Sequence, residues 1–401
     1  MVFFISNPRI YKSFTNLQIL SLKNKFVYLQ LACKLADFNY LFSIKSMKYE
    51  KEFPLFKTKM EGVNEKFDLS KTEDRSRYFQ AKAGDEIGKL KNFFADGNTF
   101  IAYLVAKKSA GKGTYTKLMK EIFGDVIEHI SAGDVVRNTY KIFQEDLPEK
   151  EEIMKYLQER YRGYMSLDDA VDALLGKSQD KLLPTELILT LIEREIDKVP
   201  RKTLFIDGLP RDMDQISYSL FFRNLINYRQ DPDFFVAIDI PESIIDERMK
   251  YRVVCPICQT PRNTKLFATQ DVEYDEKDKK FYLLCDEHKV RMIGKEGDEA
   301  GIESIRERTD RDQNLIDKLF AIHGVPLILL RNAIPVDKAK DYVDDYELTP
   351  AYSYKAGKNG KVEIIESPWT AMDDEGVEVN SLLAPPVIVS LIKSLVKELK
   401  L

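Results

Sequence analysis

The sequence predicts an α/β fold built on a doubly wound parallel sheet, and three observations carry that expectation. Five short, near-continuous apolar runs recur along the chain: Thr99–Val105, Val126–Ile130, Thr203–Ile206, Phe234–Ile238 and Val325–Leu330. Strands buried on both faces read this way, because helices cover each side of a parallel sheet. Segments with helical spacing lie between these runs, at Thr114–Phe123, Asp134–Phe143, Glu186–Asp197 and Pro241–Arg252. Such alternation places ligands in the crevice at the carboxyl ends of the strands. Finally, 44% apolar and 31% charged residues in a chain of 401 are enough for a packed core and exclude a mostly disordered or collagen-like protein.

Charge narrows the function classes. Lys and Arg total 61 against 65 Asp and Glu, a net charge of −4. That balance argues against a protein that coats nucleic acid, so an anion site must be a local cluster of cations. No apolar run reaches the roughly 18–20 residues needed to span a membrane. The four cysteines form no disulfide framework, since three crowd together (Cys255, Cys258, Cys285) and Cys33 stands apart. A cytoplasmic, monomeric protein without nucleic-acid or membrane partners is expected.

In chain order, residues 1–46 are rich in Phe, Tyr, Leu, Asn and Lys, with Asp37 their one acidic residue. Lys12, Lys23 and Lys25 are misplaced for a secretory signal. Met47 then opens a charged stretch, which makes Met47 a candidate start and residues 1–46 a doubtful prefix; a membrane-associating prefix is the alternative. Residues 47–98 form a charged leader. Within it Arg75–Phe94 has helical spacing through Tyr78, Phe79, Ile87, Leu90, Phe93 and Phe94.

The first apolar run leads into Ala106-Lys-Lys-Ser-Ala-Gly-Lys-Gly-Thr114 and then a helix. Gly111-Lys112-Gly113-Thr114 matches the end of the G-x-x-x-x-G-K-[ST] loop, with Gly113 inserted before Thr114. Successive backbone N–H groups from Ser109 and Ala110 onward, and the helix N-terminus, would cradle a polyphosphate. Lys112 would reach its outer phosphates, and Thr114 lies where Mg²⁺ binds. Ala106 and Ser109 stand where fuller motifs carry glycines. The plainer alternative is a strand–helix turn with surface lysines.

This segment resembles the phosphate loop of adenylate kinases, G-x-P-G-A-G-K-G-T. Ile130-Ser-Ala-Gly-Asp-Val-Val-Arg137 is similar to that family's S-T-G-D-x-x-R segment, and Phe205-Ile-Asp-Gly-Leu-Pro-Arg211 with Gln215 to its D-G-F-P-R…Q segment. Three motifs in the family's order span roughly residues 99–340. The resemblance implies a P-loop, doubly wound, parallel five-stranded sheet with an inserted monophosphate-binding flap (138–200) and a zinc-bearing lid (253–300), followed by a C-terminal extension (341–401).

The resemblance also implies roles. Lys112, Arg137, Arg211, Arg252, Arg306 and Arg308 would surround the transferred phosphoryl group, for which positioning and cations matter more than covalent chemistry. Arg137, Gly208, Arg211 and Gln215 would hold AMP, Gln215 meeting the amino edge of adenine, although an amide alone does not exclude other bases. Arg248 would stack on the ATP base. Arg252 and Arg306 would bind phosphates, with Arg308 a weaker choice beside them. Asp207 would hold Mg²⁺ through water; otherwise it is a helix-capping residue. Two departures are visible. Ala132 replaces the usual Thr or Ser, removing a hydroxyl contact, and the flap is longer than in short members, with added helices at Lys150–Tyr161 and Leu167–Leu175.

Cys255-Pro-Ile-Cys258 and Cys285-Asp-Glu-His288, 26 residues apart, match a closed tetrahedral zinc pattern. Asp286 is a less favoured fourth ligand. The intervening Phe267–Tyr274 and Lys280–Leu284 could pair as a hairpin, and so small a knuckle needs a metal to fold. His129 and His323 read as packing or surface residues. Beyond about Asp341 the resemblance fades. Lys361–Glu366 reads as a strand, and Val387–Leu399 as an amphipathic helix docked on the core or on a partner.

Together these readings give Mg²⁺-dependent, reversible conversion of ATP and AMP to two ADP, with structural Zn²⁺. One alternative is a kinase for CMP, UMP or GMP. The other is a nucleotide-binding regulatory protein without efficient turnover.

Overall fold

The computed structural model describes residues 53–62, 65–176, 183–209, 231–295, 297–320, 326–357 and 361–401. The expectations for the prefix, Cys33, Arg211, Gln215 and His323 lie outside the described residues.

The chain enters through α1 (Thr72–Ala95), with Glu73 and Asp74 in its first turn, where the helix dipole favours negative charge. β1 (Ile101–Ala106) follows, and all six of its residues are buried. α2 (Lys112–Phe123) ends at Gly124, whose φ of 72° lies in the left-handed region where glycine carries no steric penalty. β2 (Ile127–Ser131) leads directly into α3 (Ala132–Gln144), capped by Ser131, whose side chain accepts from the Asp134 N–H. α4 (Glu149–Arg160), α5 (Leu167–Leu174) and α6 (Thr185–Asp197) complete the helical insert. Then come β3 (Thr203–Asp207), β4 (Asp233–Asp239) and α7 (Glu242–Lys250).

The segment expected to form the lid holds β5 (Arg252–Val254), β6 (Pro261–Asn263), β7 (Val272–Asp275), β8 (Lys280–Leu283) and β9 (Ile293–Gly294). α8 (Arg306–Leu319) returns the chain to β10 (Leu327–Arg331). Beyond lie β11 (Ala333–Pro335), α9 (Val336–Tyr342), β12 (Ala351–Ala356), β13 (Val362–Ser367), β14 (Ala371–Met372), β15 (Glu378–Ser381) and α10 (Ala384–Glu398).

The central sheet has five parallel strands in the order β10-β4-β1-β3-β2. The strand order reverses around β1, which opens a crevice at its carboxyl end. Side-chain alternation along β1 splits the core. Ala102, Leu104 and Ala106 join a cluster with residues of α1, α2, α7 and α10, while Ile101, Tyr103 and Val105 join residues of α6 and α8 on the opposite face. The charged leader and the C-terminal helix are therefore part of the core: Tyr78, Phe79 and Leu90 pack in the same cluster as Val387, Leu391 and Leu395.

The insert from α3 to α6 has an apolar cluster of its own around Phe143, Leu157, Leu174 and Leu191. In the lid, β7 and β8 pair antiparallel across the turn after Asp275, as the charge-rich turn sequence suggests. β11, β15 and β14 form a small antiparallel sheet, and β12 and β13 form a hairpin. No described helix is long and apolar enough to cross a membrane.

Candidate active site

The loop joining β1 to α2 turns through two left-handed residues, Ser109 (φ 66°) and Gly111 (φ 98°). A Cβ on Gly111 would stand 3.4 Å from the Tyr115 ring, so both space and backbone favour glycine there. Ala110 is fully buried, and Gly113 and Thr114 are exposed in the first turn of α2. The Lys112 ammonium folds back across the loop, donating to the carbonyls of Ala106 at 2.9 Å and Lys107 at 3.3 Å. It also stands 3.7 Å from an Asp207 carboxylate oxygen. Residues 95 positions apart meet because β1 and β3 are neighbours, with Leu104 opposite Asp207. Gly208 follows in a left-handed conformation (φ 79°), turning the chain off the sheet.

Asp312 of α8 completes this end of the crevice by accepting the Lys108 backbone N–H at 3.0 Å. Burial pushes its carboxyl above the ordinary value, against the pull of Lys112 and Arg308. Asp239, at the end of β4, is likewise raised by burial, with Arg331 3.7 Å away opposing the shift. Beside Asp207, burial pushes His129 down.

The arginines are placed unequally. Arg137 pairs with Asp134 one turn earlier on α3 and is largely exposed. Arg252 binds Asp298 at 2.5 Å. Arg306 is held between Glu242 at 2.5 Å and Glu303 at 2.6 Å, whereas Arg308 lies 4.0 Å from Asp312, the residue that pins the loop. Arg306 is thus engaged by two carboxylates, one of α7 and one of the turn preceding α8, and Arg308 stands beside the residue that pins the loop. Arg248 is partly buried. It donates to Asn332 Oδ1 at 2.8 Å and Ser381 Oγ at 3.3 Å, while the Asn332 amide donates to the Tyr115 hydroxyl at 2.8 Å. Burial lowers the Arg248 guanidinium from its ordinary value.

The sequence reading passed over Lys108, Asp312, Asn332 and Asp374. Arg308 and Asp312 stand at i,i+4 spacing, a signal that was available. Asn332 and Asp374 act through partners far off in sequence, which no local pattern announces.

In the lid, the ligand atoms of Cys255, Cys258, Cys285 and His288 all lie within 4.8 Å of one another. Cys258 and Cys285 sulfurs are 3.8 Å apart, and His288 Nδ1 is 4.0 Å from Cys255 and 3.7 Å from Cys285. Sulfurs on arms of about 2.3 Å around a tetrahedral zinc stand about 3.8 Å apart, so donor set and spacing fit the ion. Backbone N–H groups of Ile257 and His288 point at the Cys255 and Cys285 sulfurs, at 3.4 and 3.5 Å. Asp286 instead accepts from Arg262 at 2.8 Å and from the Gln270 N–H at 2.9 Å, outside the ligand group.

No family model matches the chain. Among curated proteins it is similar to the adenylate kinase of Thermotoga petrophila, 29% identical over 224 residues, covering 54% of this chain and 84% of that protein. It is similar to the adenylate kinase of Clostridium novyi at 30% identity over 236 residues, 56% of this chain and 91% of that protein. The adenylate kinase of Hydrogenobaculum is 26% identical over 213 residues, 53% and 83% respectively. The chain belongs to the adenylate kinase family. Membership supports a phosphotransferase of the nucleoside monophosphate kinase class, and it agrees with the parallel five-stranded sheet and the loop after β1. Roughly half the chain lies outside these alignments.

Proposed function

We propose that this protein catalyses reversible, Mg²⁺-dependent phosphoryl transfer from ATP to AMP, giving two ADP. The observation that carries the reading is Lys112, held over the loop carbonyls at the carboxyl end of β1 with Asp207 3.7 Å away. An AMP phosphate oxygen attacks the terminal phosphorus of ATP, and the bond to the departing ADP oxygen breaks. Lys112 moves from its carbonyl partners to the outer phosphates. Arg252, Arg306 and Arg308 approach from the lid side, and Arg137 and Arg211 from the monophosphate side. These cations neutralise charge as it spreads over the transferred group. Ser109, Ala110, Gly111 and Gly113 supply backbone donors. Arg248, fixed along one edge by Asn332 and Ser381, offers its planar face to the ATP base. Gly208 and Gln215 would border AMP in the flap, residues 138–200.

Asp207 and Thr114 are hard oxygen donors of the kind Mg²⁺ takes, and the ion, when bound, neutralises phosphate charge. Cys255, Cys258, Cys285 and His288 would hold zinc, which supplies folding free energy to the lid, residues 253–300. Lid closure excludes water, so that ATP is not simply hydrolysed.

The test is ADP formation with AMP, CMP, UMP and GMP in parallel, with Lys112→Ala beside the unaltered protein. AMP is expected to give the highest kcat/KM, and Lys112→Ala to lower kcat roughly 10²–10³-fold. Equal rates with all four acceptors would remove the AMP assignment. ATP binding with no ADP formed from any acceptor would leave a nucleotide-binding protein.

A further inference from the structure

The loop after β1 carries two adjacent lysines in opposite surroundings. Lys107 is almost fully buried, its ammonium 2.8 Å from Asp374 and 3.6 Å from Glu242. Its charge is compensated, and it serves to dock the C-terminal segment on the loop. Lys108 has no such compensation. Its backbone N–H is pinned by Asp312, which fixes where the residue stands. Its ammonium makes no ion pair or hydrogen bond among the described residues. The side chain is partly buried. Burial first, then Arg308 and Arg252, push the lysine below its ordinary value, with Asp298 pulling the other way and Lys295 adding a further cation.

The neighbouring charges are already matched: Arg252 to Asp298 at 2.5 Å, and Arg308 to Asp312 at 4.0 Å. Next to Lys108, the Ser109 hydroxyl is buried and likewise has no hydrogen-bond partner among the described residues. A part-buried ammonium beside arginines, with no ion-pair partner among the described residues, gains from an added anion. Here the backbone is anchored, and the adjoining orphan hydroxyl offers a second donor to the same ligand.

We propose that Lys108 is a further phosphate-binding residue, meeting the terminal phosphate of the donor triphosphate together with Lys112. Lys112 lies over the carbonyls of Ala106 and Lys107, whereas Lys108, its N–H held by Asp312, stands on the Arg308 side of the loop, Arg308 being 4.0 Å from Asp312. It therefore belongs with the groups that close on the phosphate being transferred. This inference rests on reading the loop as a triphosphate site, and it adds a cation that the phosphate-loop pattern does not contain.

The test is calorimetric titration with inorganic tripolyphosphate of the full chain, Lys108→Met and Lys108→Arg. Loss of one charge-assisted contact is expected to weaken binding roughly 10- to 100-fold in Lys108→Met, with most of it recovered in Lys108→Arg. Binding by Lys108→Met within twofold of the unaltered protein overturns the proposal. So does a loss that Lys108→Arg leaves unrecovered, which marks damage to the loop, or an unaltered protein that does not bind tripolyphosphate. The kinase reading fails separately, if the unaltered protein binds tripolyphosphate yet makes no ADP from ATP and AMP.

Discussion

The central sheet and the segment expected to form the lid are held together by different means. Every residue of β1 is buried, and its two faces feed two large apolar clusters, so Lys112 and Asp207 are positioned by burial. In the lid, no residue of β5 or β7 is fully buried, and the apolar cluster is four buried residues, two of them Cys255 and Cys285. What remains are ion pairs, such as Arg291 with Glu273 and Asp275 at 2.8 Å, and the four-ligand group. This contrast predicts that residues 253–300 can open while the sheet stays closed.

The largest effect expected from that contrast is loss of the zinc proposed for the Cys255, Cys258, Cys285 and His288 group. Structural zinc contributes about 10–16 kcal/mol of apparent binding free energy in small zinc domains at pH 7. Chelation or Cys258→Ser should therefore open residues 253–300 to protease while the sheet stays protected. An unchanged digestion pattern in both would mean that the four ligands hold no folding metal. Next comes the core itself. Phe205 is almost fully buried on β3, its ring 5.8 Å from Phe100. Phe205→Ala should cost about 3–5 kcal/mol by urea unfolding, with sheet and lid signals lost together. A lid that keeps its structure past the sheet transition would contradict the dependence of the lid on the core.

The same contrast explains what the sequence discloses. Apolar runs and cysteine spacing are local patterns, so the five strands, the β7–β8 turn and the Cys/His cluster were legible from residues alone. α10 was legible too, because its apolar spacing extends over the whole helix. Partners that meet only through folding were not. Lys107 finds Asp374 from 267 residues away, and Arg248 finds Ser381 from 133 residues away. Both partners lie in the C-terminal segment, far from the motifs, so motif position could suggest a role for Arg248 but not its surroundings.

That C-terminal segment also reaches the lid, and there the smallest effect should appear. The Tyr352 N–H donates to the Lys265 carbonyl at 2.6 Å, the Tyr354 hydroxyl donates to the Thr264 carbonyl at 2.7 Å, and the Tyr354 ring lies 5.7 Å from Phe281 of β8. Burial pushes the Tyr354 hydroxyl up to about 12, so it remains a donor throughout the neutral range. Tyr354→Phe keeps the ring and removes the one hydrogen bond, a loss of about 1 kcal/mol. If the lid opens independently of the sheet, that loss should speed hydrogen exchange of lid amides such as Cys285 and Met292 roughly fivefold and leave β1 and β3 amides unchanged. Equal acceleration in the sheet would mean that lid and core open as one unit, and the β12–β13 hairpin would then be a brace for the whole protein. Acceleration confined to the lid makes the hairpin a strap, through which a segment beyond the family's shared core sets how often the lid opens.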